Sequence, residues 1–371
     1  MGNLTPFQRR LQRVKKLLAE QSFDTFLVSE PRNRAYLSGF WAEDMQLTES
    51  SGFLFITEKS QVLATDFRYK EQAENEAQGF QVVIYKENLT SVLPEIFAGL
   101  DTRNLGFENH HLTYERFVKV QEALQKWNKE GELLPAVHLV EGLRMAKEPE
   151  EVQAIRKSLA LTESVLETLL NEAQVGKTEK ELAWRIEQLM REKGAESVSF
   201  PPIVASGPSA ALPHAVVSDR QLRESETIII DLGARVEHYC SDMTRTLILG
   251  KPEAKAREIY SIVREAQLRA MAAVKAGVYS LEVDKVARDH IASAGYGDNF
   301  GHGLGHGVGL AVHEKPGFGK TSAVVLQENM VVTIEPGIYL PGWGGVRLEN
   351  MVLVTTDGCE NLNQNDFFYS F

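Results

Sequence analysis

The sequence predicts an α/β two-domain protein, with an N-terminal α/β domain and a C-terminal α+β domain built on antiparallel sheets. Helix and strand patterns alternate in the first half of the chain, whereas hairpin-like apolar strands enclose a helix pair in the second half. A chain of 371 residues also exceeds the usual size of a single hydrophobic core. We therefore expect domains at 1–138 and 150–371, joined by a linker at 139–149.

The N-terminal domain is predicted from apolar periodicity. Leu11, Val14 and Leu18 recur at helical spacing, and Thr25–Val28 follows as a short apolar strand. The polar segment Glu58–Ser60 separates two apolar strands and predicts a hairpin. This half of the chain has no evident catalytic motif. Helices are expected at 7–19, 66–78, 89–100 and 113–127, and strands at 25–28, 52–57, 61–65, 80–85 and 104–107.

The C-terminal domain begins within the polar segment Arg144–Glu151. Pro149 suits the first turn of a helix, because no intrahelical bond needs its missing N–H. Hairpin strands are expected at 227–249 and 330–355, and helices at 150–171, 179–193, 254–276 and 281–294. Each half of this domain would have helices and a hairpin that bears two acids, so the sequence indicates two similar halves.

Composition excludes several classes of function. A net charge of −11 disfavours binding to nucleic-acid phosphates. The stretch Met1–Arg10 has no apolar segment after its basic residues, which predicts no signal peptide, and no apolar run is long enough to span a membrane. Cys240 and Cys359 are too few for a disulfide framework. We expect a cytoplasmic protein with no nucleic-acid or membrane partner.

Two acids interrupt the first apolar hairpin of the C-terminal domain. Asp231 ends the buried strand pattern that starts at Thr227, and Asp242 lies near the start of the partner strand. A turn centred between Val236 and Glu237 would place the two acids opposite each other, with Cβ atoms ~5 Å apart. Two buried carboxylates this close repel unless a proton or a cation lies between them.

The second hairpin repeats this arrangement. Glu335 ends the apolar strand that starts at Met330, and Glu349 lies in the returning strand. A turn centred on Gly342 would place the two glutamates opposite each other. Four carboxylates with a nearby imidazole form an oxygen-rich site that suits hard or borderline divalent cations. Two ions sharing these ligands would lower the pKa of a bridging water and polarise a carbonyl, which is hydrolytic chemistry.

A glycine-rich stretch, Gly301–Leu310, supplies the imidazoles. His302 and His306 alternate with glycines, and His313 follows closely. The stretch does not fit Gly-x-Gly-x-x-Gly in any frame, so we expect its glycines to provide clearance beside the ions rather than to bind phosphate. The sequence has no Gly-x-Ser-x-Gly or Cys-x-x-Cys motif. Cys240, although close to Asp242, is expected to pack rather than to bind metal.

The acids and histidines occur within longer motifs. These are Asp231–Gly233, Ser241–Thr246, Gly301–Gly309, Glu335–Tyr339 and Val346–Asn350. In this order and spacing they resemble the pita-bread metallopeptidases, most closely the Xaa-Pro aminopeptidase and proline dipeptidase branch. The segment Asn33–Phe40 is similar to part of the creatinase-type N-terminal domain of that family. The resemblance therefore covers both domains and implies a C-terminal pita-bread metallopeptidase domain.

The resemblance implies a role for each acid and for one histidine. Asp231 would chelate one ion, Asp242 and Glu349 would bridge both ions, and His306 and Glu335 would bind the other. Glu335 would also take a proton from the bridging water, leaving a metal-bridging hydroxide, and pass it to the leaving nitrogen. The implied cofactor is two divalent ions, with manganese expected and cobalt, zinc or iron left open.

Four further residues match positions near the substrate. His313 would contact the substrate and stabilise the tetrahedral intermediate, and His302 and His214 would line the pocket. Arg347 shares strand parity with Glu349 and is expected to orient a bridging carboxylate. His214 could instead belong to an ordinary loop, and Arg347 could form a surface salt bridge.

The resemblance implies a hydrolase acting on proline-containing peptides, as a homodimer like its relatives. Dipeptide-restricted enzymes of this branch are expected to carry an arginine soon after a His-Glu-x-Pro segment. Here Gly317 follows His313–Pro316, although Lys315, Lys320 or Arg347 could substitute. We therefore expect an Xaa-Pro aminopeptidase, with proline dipeptidase as the alternative. A catalytically inert binding protein with this fold is a third hypothesis, which the complete ligand set disfavours.

Overall fold

The structure is a computed structural model that describes residues 4–365 and 367–371. The chain divides into two compact units, Met1–Leu143 and Arg144–Phe371, which agrees with the predicted α/β two-domain class. The domain limits expected at 1–138, 139–149 and 150–371 stay a prediction. Residues 1–3, part of the stretch used to predict the absence of a signal peptide, lie outside the described residues. Among the helices described, none combines the length and apolar composition of a membrane-spanning segment.

The first unit is organised around one mixed sheet. Its helices are α1 (Pro6–Leu18), α2 (Pro31–Ser38), α3 (Lys70–Glu76), α4 (Leu93–Leu100), α5 (Tyr114–Trp127) and α6 (Leu139–Met145), and its strands are β1 (Thr25–Val28), β2 (Phe53–Ile56), β3 (Gln61–Asp66), β4 (Gln81–Tyr85), β5 (Leu105–Glu108) and β6 (Leu133–Ala136). The six strands lie in the order β4-β3-β2-β1-β5-β6. Strand β1 pairs antiparallel with β2 and parallel with β5.

Most of these elements are those that the periodicity predicts. Helix α1 starts at a capping box between Thr5 and Gln8 and buries Leu11, Val14 and Leu18. Three elements, α2, β6 and α6, are absent from the sequence prediction. Helix α2 buries nearly its whole length, including the polar Asn33, so it has no apolar stripe to recognise.

Over its described residues, the second unit contains four α-helices and four antiparallel sheets. The helices are α7 (Pro149–Glu172), α8 (Glu179–Glu192), α9 (Ala254–Ala273) and α10 (Ser280–Ser293), and the strands are β7 (Ser197–Val198), β8 (Ile203–Ser206), β9 (Thr227–Leu232), β10 (Ala234–Val236), β11 (Tyr239–Cys240), β12 (Met243–Ile248), β13 (Gly305–Gly307), β14 (Glu314–Phe318), β15 (Val331–Ile334), β16 (Gly337–Leu340), β17 (Gly344–Arg347), β18 (Asn350–Val354) and β19 (Cys359–Asn361). The sheets have the orders β11-β10-β7, β12-β9-β8, β14-β13-β15-β18-β19 and β16-β17.

The element order of this unit repeats once, in agreement with the two similar halves that the sequence indicates. A long helix, a 14-residue helix and a set of strands occur first as α7, α8 and β7–β12. The same order returns as α9, α10 and β13–β19. In the second half, α9 and α10 contribute Ile259, Val263 and Ile291 to a core shared with Val332 and Val352 of the sheet. Each helix pair therefore covers apolar strands that carry acids at their ends.

The register predicted for the first hairpin is wrong by two residues. Asp231 pairs with Thr244 rather than with Asp242, because the turn is formed by Glu237 and His238. Both turn residues have positive φ, 50° and 69°, as a two-residue hairpin turn requires. A two-residue shift preserves the alternation of faces, so Asp231 and Asp242 still point to the same side.

The register predicted for the second hairpin is confirmed. Strands β16 and β17 pair Gly337 with Arg347 and Leu340 with Gly344, so the turn is centred on Gly342. Strands β15 and β18 continue the same register from Ile334 and Asn350. In this shared register, Glu335 and Glu349 lie opposite each other, between the β15–β18 pair and the β16–β17 pair.

Candidate metal centre

All nine residues that the sequence analysis selects line one cavity of about 500 Å³ in the second unit. Both acid hairpins contribute to its wall, as do the glycine-rich stretch and the loop after β8. The nine residues are His214, Asp231, Asp242, His302, His306, His313, Glu335, Arg347 and Glu349. The fold thus brings together side chains from positions 214–349.

The five predicted ligands form two overlapping groups of potential metal ligands. Asp231, Asp242 and Glu349 form one group, and His306, Glu335 and Glu349 form another, each with ligand atoms within 4.8 Å of one another. His306 Nε2 lies 3.5 Å from both Asp242 Oδ2 and Glu335 Oε1. Glu349 belongs to both groups and Asp242 links them, which is the arrangement expected of carboxylates shared by two ions.

The electrostatics of these side chains also indicate a cation site. Burial and the neighbouring carboxylates raise the pKa of Asp242 and that of Glu335 well above their usual values. Burial and Asp231 raise the pKa of Glu349 to about 8. Burial and the adjacent His313 lower the pKa of His306 to about 4, so its imidazole is neutral and can donate a lone pair. Divalent cations would offset the repulsion among the carboxylates.

In two of the carboxylates, one oxygen accepts a hydrogen bond from a protein side chain and the second oxygen accepts none from the described residues. Arg347 Nη2 donates to Asp231 Oδ2 at 2.7 Å, and the Thr244 hydroxyl donates to Glu349 Oε2 at 2.7 Å. Asp231 Oδ1 and Glu349 Oε1 are buried and have no hydrogen-bond partner among the described residues. Buried polar atoms are normally paired, so these two oxygens are suited to binding cations. The donor set therefore fits a divalent-metal centre.

Arg347 contacts a different carboxylate from the one expected. Its guanidinium bonds directly to Asp231 and reaches Glu349 only through the Thr244 hydroxyl, which accepts from Nε at 3.2 Å. The shift in the first hairpin explains this contact, because it moves Thr244 to the position opposite Asp231. The alternative of a surface salt bridge is excluded, since Arg347 is only 3% exposed.

The remaining histidines surround the ligand cluster. His302 Nε2 lies 2.8 Å from the hydroxyl of Tyr339, and burial lowers the pKa of this histidine to about 4. The ring of His313 packs edge-on against His306 at 4.3 Å, and its nitrogen lies within 4.8 Å of ligand atoms of Asp242 and His306. His214 is exposed on a loop at the cavity wall.

Residues 153–356, more than half of the chain, match the model of metallopeptidase family M24. The chain belongs to this family. Residues 10–146 match the creatinase/prolidase N-terminal domain, so both domain resemblances are confirmed. The fold expected from the resemblance, with its pita-bread catalytic domain, is confirmed by solved M24 relatives. M24 membership also establishes the chain as a metal-dependent hydrolase that uses divalent ions.

Several full-length relatives have names that indicate proline-specific peptidases. The structure of an Xaa-Pro dipeptidase from Bacillus anthracis is 37% identical with a TM-score of 0.91, covering 97% of this chain and 98% of that one. The structure of an X-Pro aminopeptidase from Thermotoga maritima is 36% identical with a TM-score of 0.85, covering 95% and 98%. The Xaa-Pro dipeptidase of Pyrococcus furiosus is 38% identical over 97% of this chain and 99% of its own length.

Two polar residues of the M24 site, Tyr339 and Thr244, lie in motifs of the sequence analysis but are given no role there. The Tyr339 hydroxyl joins His302 to Arg347, which donates from Nη1 at 3.1 Å, and Thr244 joins Arg347 to Glu349. Strand alternation could have identified both. Tyr339 shares parity with Glu335, and Thr244 shares parity with Asp242, so each points to the ligand-bearing face.

The glycines of the M24 site provide space for neighbouring backbone. A Cβ at Gly303 would lie 2.1 Å from Phe318 O, one at Gly305 would lie 2.1 Å from Thr333 O, and one at Gly307 would lie 2.2 Å from Lys315 O. The space that these glycines leave is therefore filled by the backbone of adjacent strands, and not by the ions as expected. His306 lies in the middle of this tightly packed segment, which fixes its position.

Gly305→Ala is expected to destabilise the second unit by about 1–3 kcal/mol, because the added methyl group overlaps a backbone carbonyl. Urea unfolding followed by circular dichroism measures this change. Gly301→Ala is a matched control, since a Cβ at Gly301 would have no described atom within 4 Å and the substitution should change stability little. Equal stability of the two variants would contradict the close-packing explanation.

Proposed function

We propose that this M24 protein is an Xaa-Pro dipeptidase that holds two divalent ions through Asp231, Asp242, His306, Glu335 and Glu349. The main support for the metal site is the pair of carboxylates Asp231 and Glu349, which line the same cavity. In each of them, one oxygen accepts a hydrogen bond, and the other is buried and has no hydrogen-bond partner among the described residues. The names of relatives from Pyrococcus and Bacillus also support this activity. The oxygen-rich ligand set favours manganese among the candidate metals.

In this proposal, each protein group has a defined task. Bound cations of this kind supply Lewis acidity and lower the pKa of water. Glu335 removes a proton from the attacking water and transfers it to the prolyl nitrogen that leaves. Arg347 keeps Asp231 in its coordinating orientation. His313 donates to the tetrahedral intermediate, while His302 and His214 hold the peptide.

The cavity wall supports selection of proline. Phe200, Ile203 and Phe318 line the cavity beside the ligand cluster and give it an apolar side. A pyrrolidine ring buries only carbon against such a wall and has no N–H that would lack a partner. The proline side of the scissile bond would therefore lie against these residues.

Xaa-Pro aminopeptidase activity is the second candidate. No arginine closely follows the His313–Pro316 segment, and a structural relative from Thermotoga maritima is named an X-Pro aminopeptidase. Arg347 is unsuited to binding a substrate carboxylate, because it already bonds to Asp231, Thr244 and Tyr339. Lys315 and Lys320 are exposed and stay available for that role.

The two candidates differ in substrate length. After chelator treatment, we expect no hydrolysis of Gly-Pro, and we expect Mn²⁺ to restore it. We further expect kcat/KM for Gly-Pro to exceed that for Gly-Pro-Gly by at least tenfold, as measured by release of glycine. The reverse ratio would establish the aminopeptidase. A metal-loaded protein that hydrolyses neither peptide would contradict both activities and favour an inert binding protein.

The remaining parts of the proposal concern the cellular context. A homodimer is proposed from the resemblance to dimeric relatives, and sedimentation or light scattering can test it. A cytoplasmic location is proposed because the two cysteines are both free thiols, which is typical of proteins in a reducing compartment.

A further inference from the structure

A second cluster of potential metal ligands lies in the first unit, separate from the M24 ligands of the second unit. His110 follows strand β5, His138 precedes helix α6, and Glu141 lies in the first turn of that helix. One ligand atom from each of the three side chains lies within 4.8 Å of the others. Two imidazoles and a carboxylate from separate segments therefore converge on one point.

The distances within this cluster resemble those around a bound ion. Glu141 Oε1 lies 3.0 Å from His110 Nε2, and Glu141 Oε2 lies 4.0 Å from His138 Nδ1. The two imidazole rings are 5.2 Å apart between centroids. Ligand atoms bound to zinc at 2.0–2.2 Å lie roughly 3–3.5 Å from one another, so small side-chain rotations would complete the geometry.

The Glu141 carboxylate is oriented by a buried polar network. Asn33 Nδ2 donates to Glu141 Oε1 at 2.5 Å and to Glu108 Oε1 at 2.7 Å. Glu108 Oε2 accepts the backbone N–H groups of Ser29 and Glu30, both at 2.6 Å. This network fixes the orientation of the Glu141 carboxylate. Hydrogen bonds from residues that do not themselves bind the metal commonly orient a metal-binding carboxylate in this way.

An ion pair between His110 and Glu141 explains only part of this arrangement. It accounts for Glu141 Oε1, but Glu141 Oε2 is buried and has no hydrogen-bond partner among the described residues. His138 has a positive φ of 53°, a conformation that is costly for a residue other than glycine and that brings its ring beside His110. Both features are accounted for if a cation lies between the three side chains.

We propose that His110, His138 and Glu141 form a second metal site that binds a borderline divalent cation such as Zn²⁺. Two histidines and one carboxylate are a common zinc ligand set, with a water molecule as the fourth ligand. The cation would link the segment after β5 to the start of α6. Its role would be to stabilise the first unit, independently of the M24 chemistry.

The test is a count of zinc ions bound per chain. Full-length protein is stripped with chelator, incubated with excess ZnCl₂, passed through a desalting column and analysed by mass spectrometry for metal. His110→Ala and Glu141→Gln should each bind one zinc fewer per chain than the wild type. His111→Ala, a neighbouring histidine that does not belong to the cluster, should bind as many as the wild type.

The difference between variants does not depend on how many ions occupy the M24 centre. Glu141→Gln preserves the size of the side chain and an oxygen that can accept from Asn33, so this variant should fold even if His110→Ala does not. Equal zinc content in the wild type and in folded Glu141→Gln would overturn the proposal. An equal loss of zinc in His111→Ala would also overturn it, by showing that the effect is not specific to the three ligands.

Discussion

Replacing Glu335 by glutamine is expected to lower kcat for Xaa-Pro hydrolysis by a factor of about 10²–10⁴. The substitution preserves the shape of the side chain but removes the carboxylate that lies 3.5 Å from His306 Nε2 and that is proposed to transfer the proton. Steady-state assays with the metal-loaded protein measure the loss. Circular dichroism should show an unchanged fold, because relief of carboxylate repulsion offsets the lost interactions.

Glu328→Gln provides the matched control for this experiment. Glu328 is an exposed glutamate just before strand β15, and its carboxylate accepts a hydrogen bond from Thr356 rather than facing the cavity. We expect this variant to retain the kcat of the wild type. A Glu335→Gln enzyme with full metal content and a rate within twofold of the wild type would disprove the proton-transfer role.

Glu314→Gln is expected to destabilise the second unit by about 3–5 kcal/mol, since it removes the negative charge that two buried cations contact. Glu314 accepts from Arg144 Nη2 at 2.5 Å and from Lys147 Nζ at 2.8 Å, and all three side chains are less than 9% exposed. Burial raises the pKa of Glu314, but the two cations outweigh it and lower the pKa overall. Its stabilisation is therefore present above about pH 4.5, the ordinary value for a glutamate, and lost as the pH falls further.

The free energy of unfolding in urea at pH 7 measures this effect. Asp219→Asn is the control, because Asp219 forms an ion pair of similar length, 2.8 Å, with Lys180 at the surface. Exposed ion pairs contribute little, so we expect a change below about 1 kcal/mol. Equal changes in the two variants would show that the buried cluster is not a special source of stability.

The sequence predicts the ligand cluster well because its signal is local. Asp231 and Glu335 each end a strongly apolar strand, and the turn at Gly342 contains glycines that allow the required backbone conformation. The second register can therefore be inferred correctly. In the first hairpin, the turn residues Glu237 and His238 adopt positive φ without a glycine or asparagine to signal it. The predicted turn is consequently centred one residue too early, and the predicted register is wrong by two.

Other features depend on tertiary contacts that a sequence does not encode locally. Helix α2 buries Asn33 in a network with Glu108 and Glu141, so its pattern of apolar residues carries no helical period. Strand parity places Arg347 on the correct face, but the carboxylate it contacts depends on the register of a strand about one hundred residues earlier. Such pairings between distant segments become visible only when the two hairpins are placed together.

Hydrogen bonds from the backbone of the second acid hairpin also join it to the first hairpin. Glu349 N–H donates to Thr244 O at 3.1 Å, and Arg347 N–H donates to the Thr246 hydroxyl at 3.1 Å. Arg347 and Asp231 are 116 residues apart in sequence, so forming this seam closes a long loop of chain. Contacts between segments so distant in sequence slow folding, because loop-closure entropy is lost before they form. The complete set of five ligands requires both hairpins, so full metal binding would report that this long loop has closed.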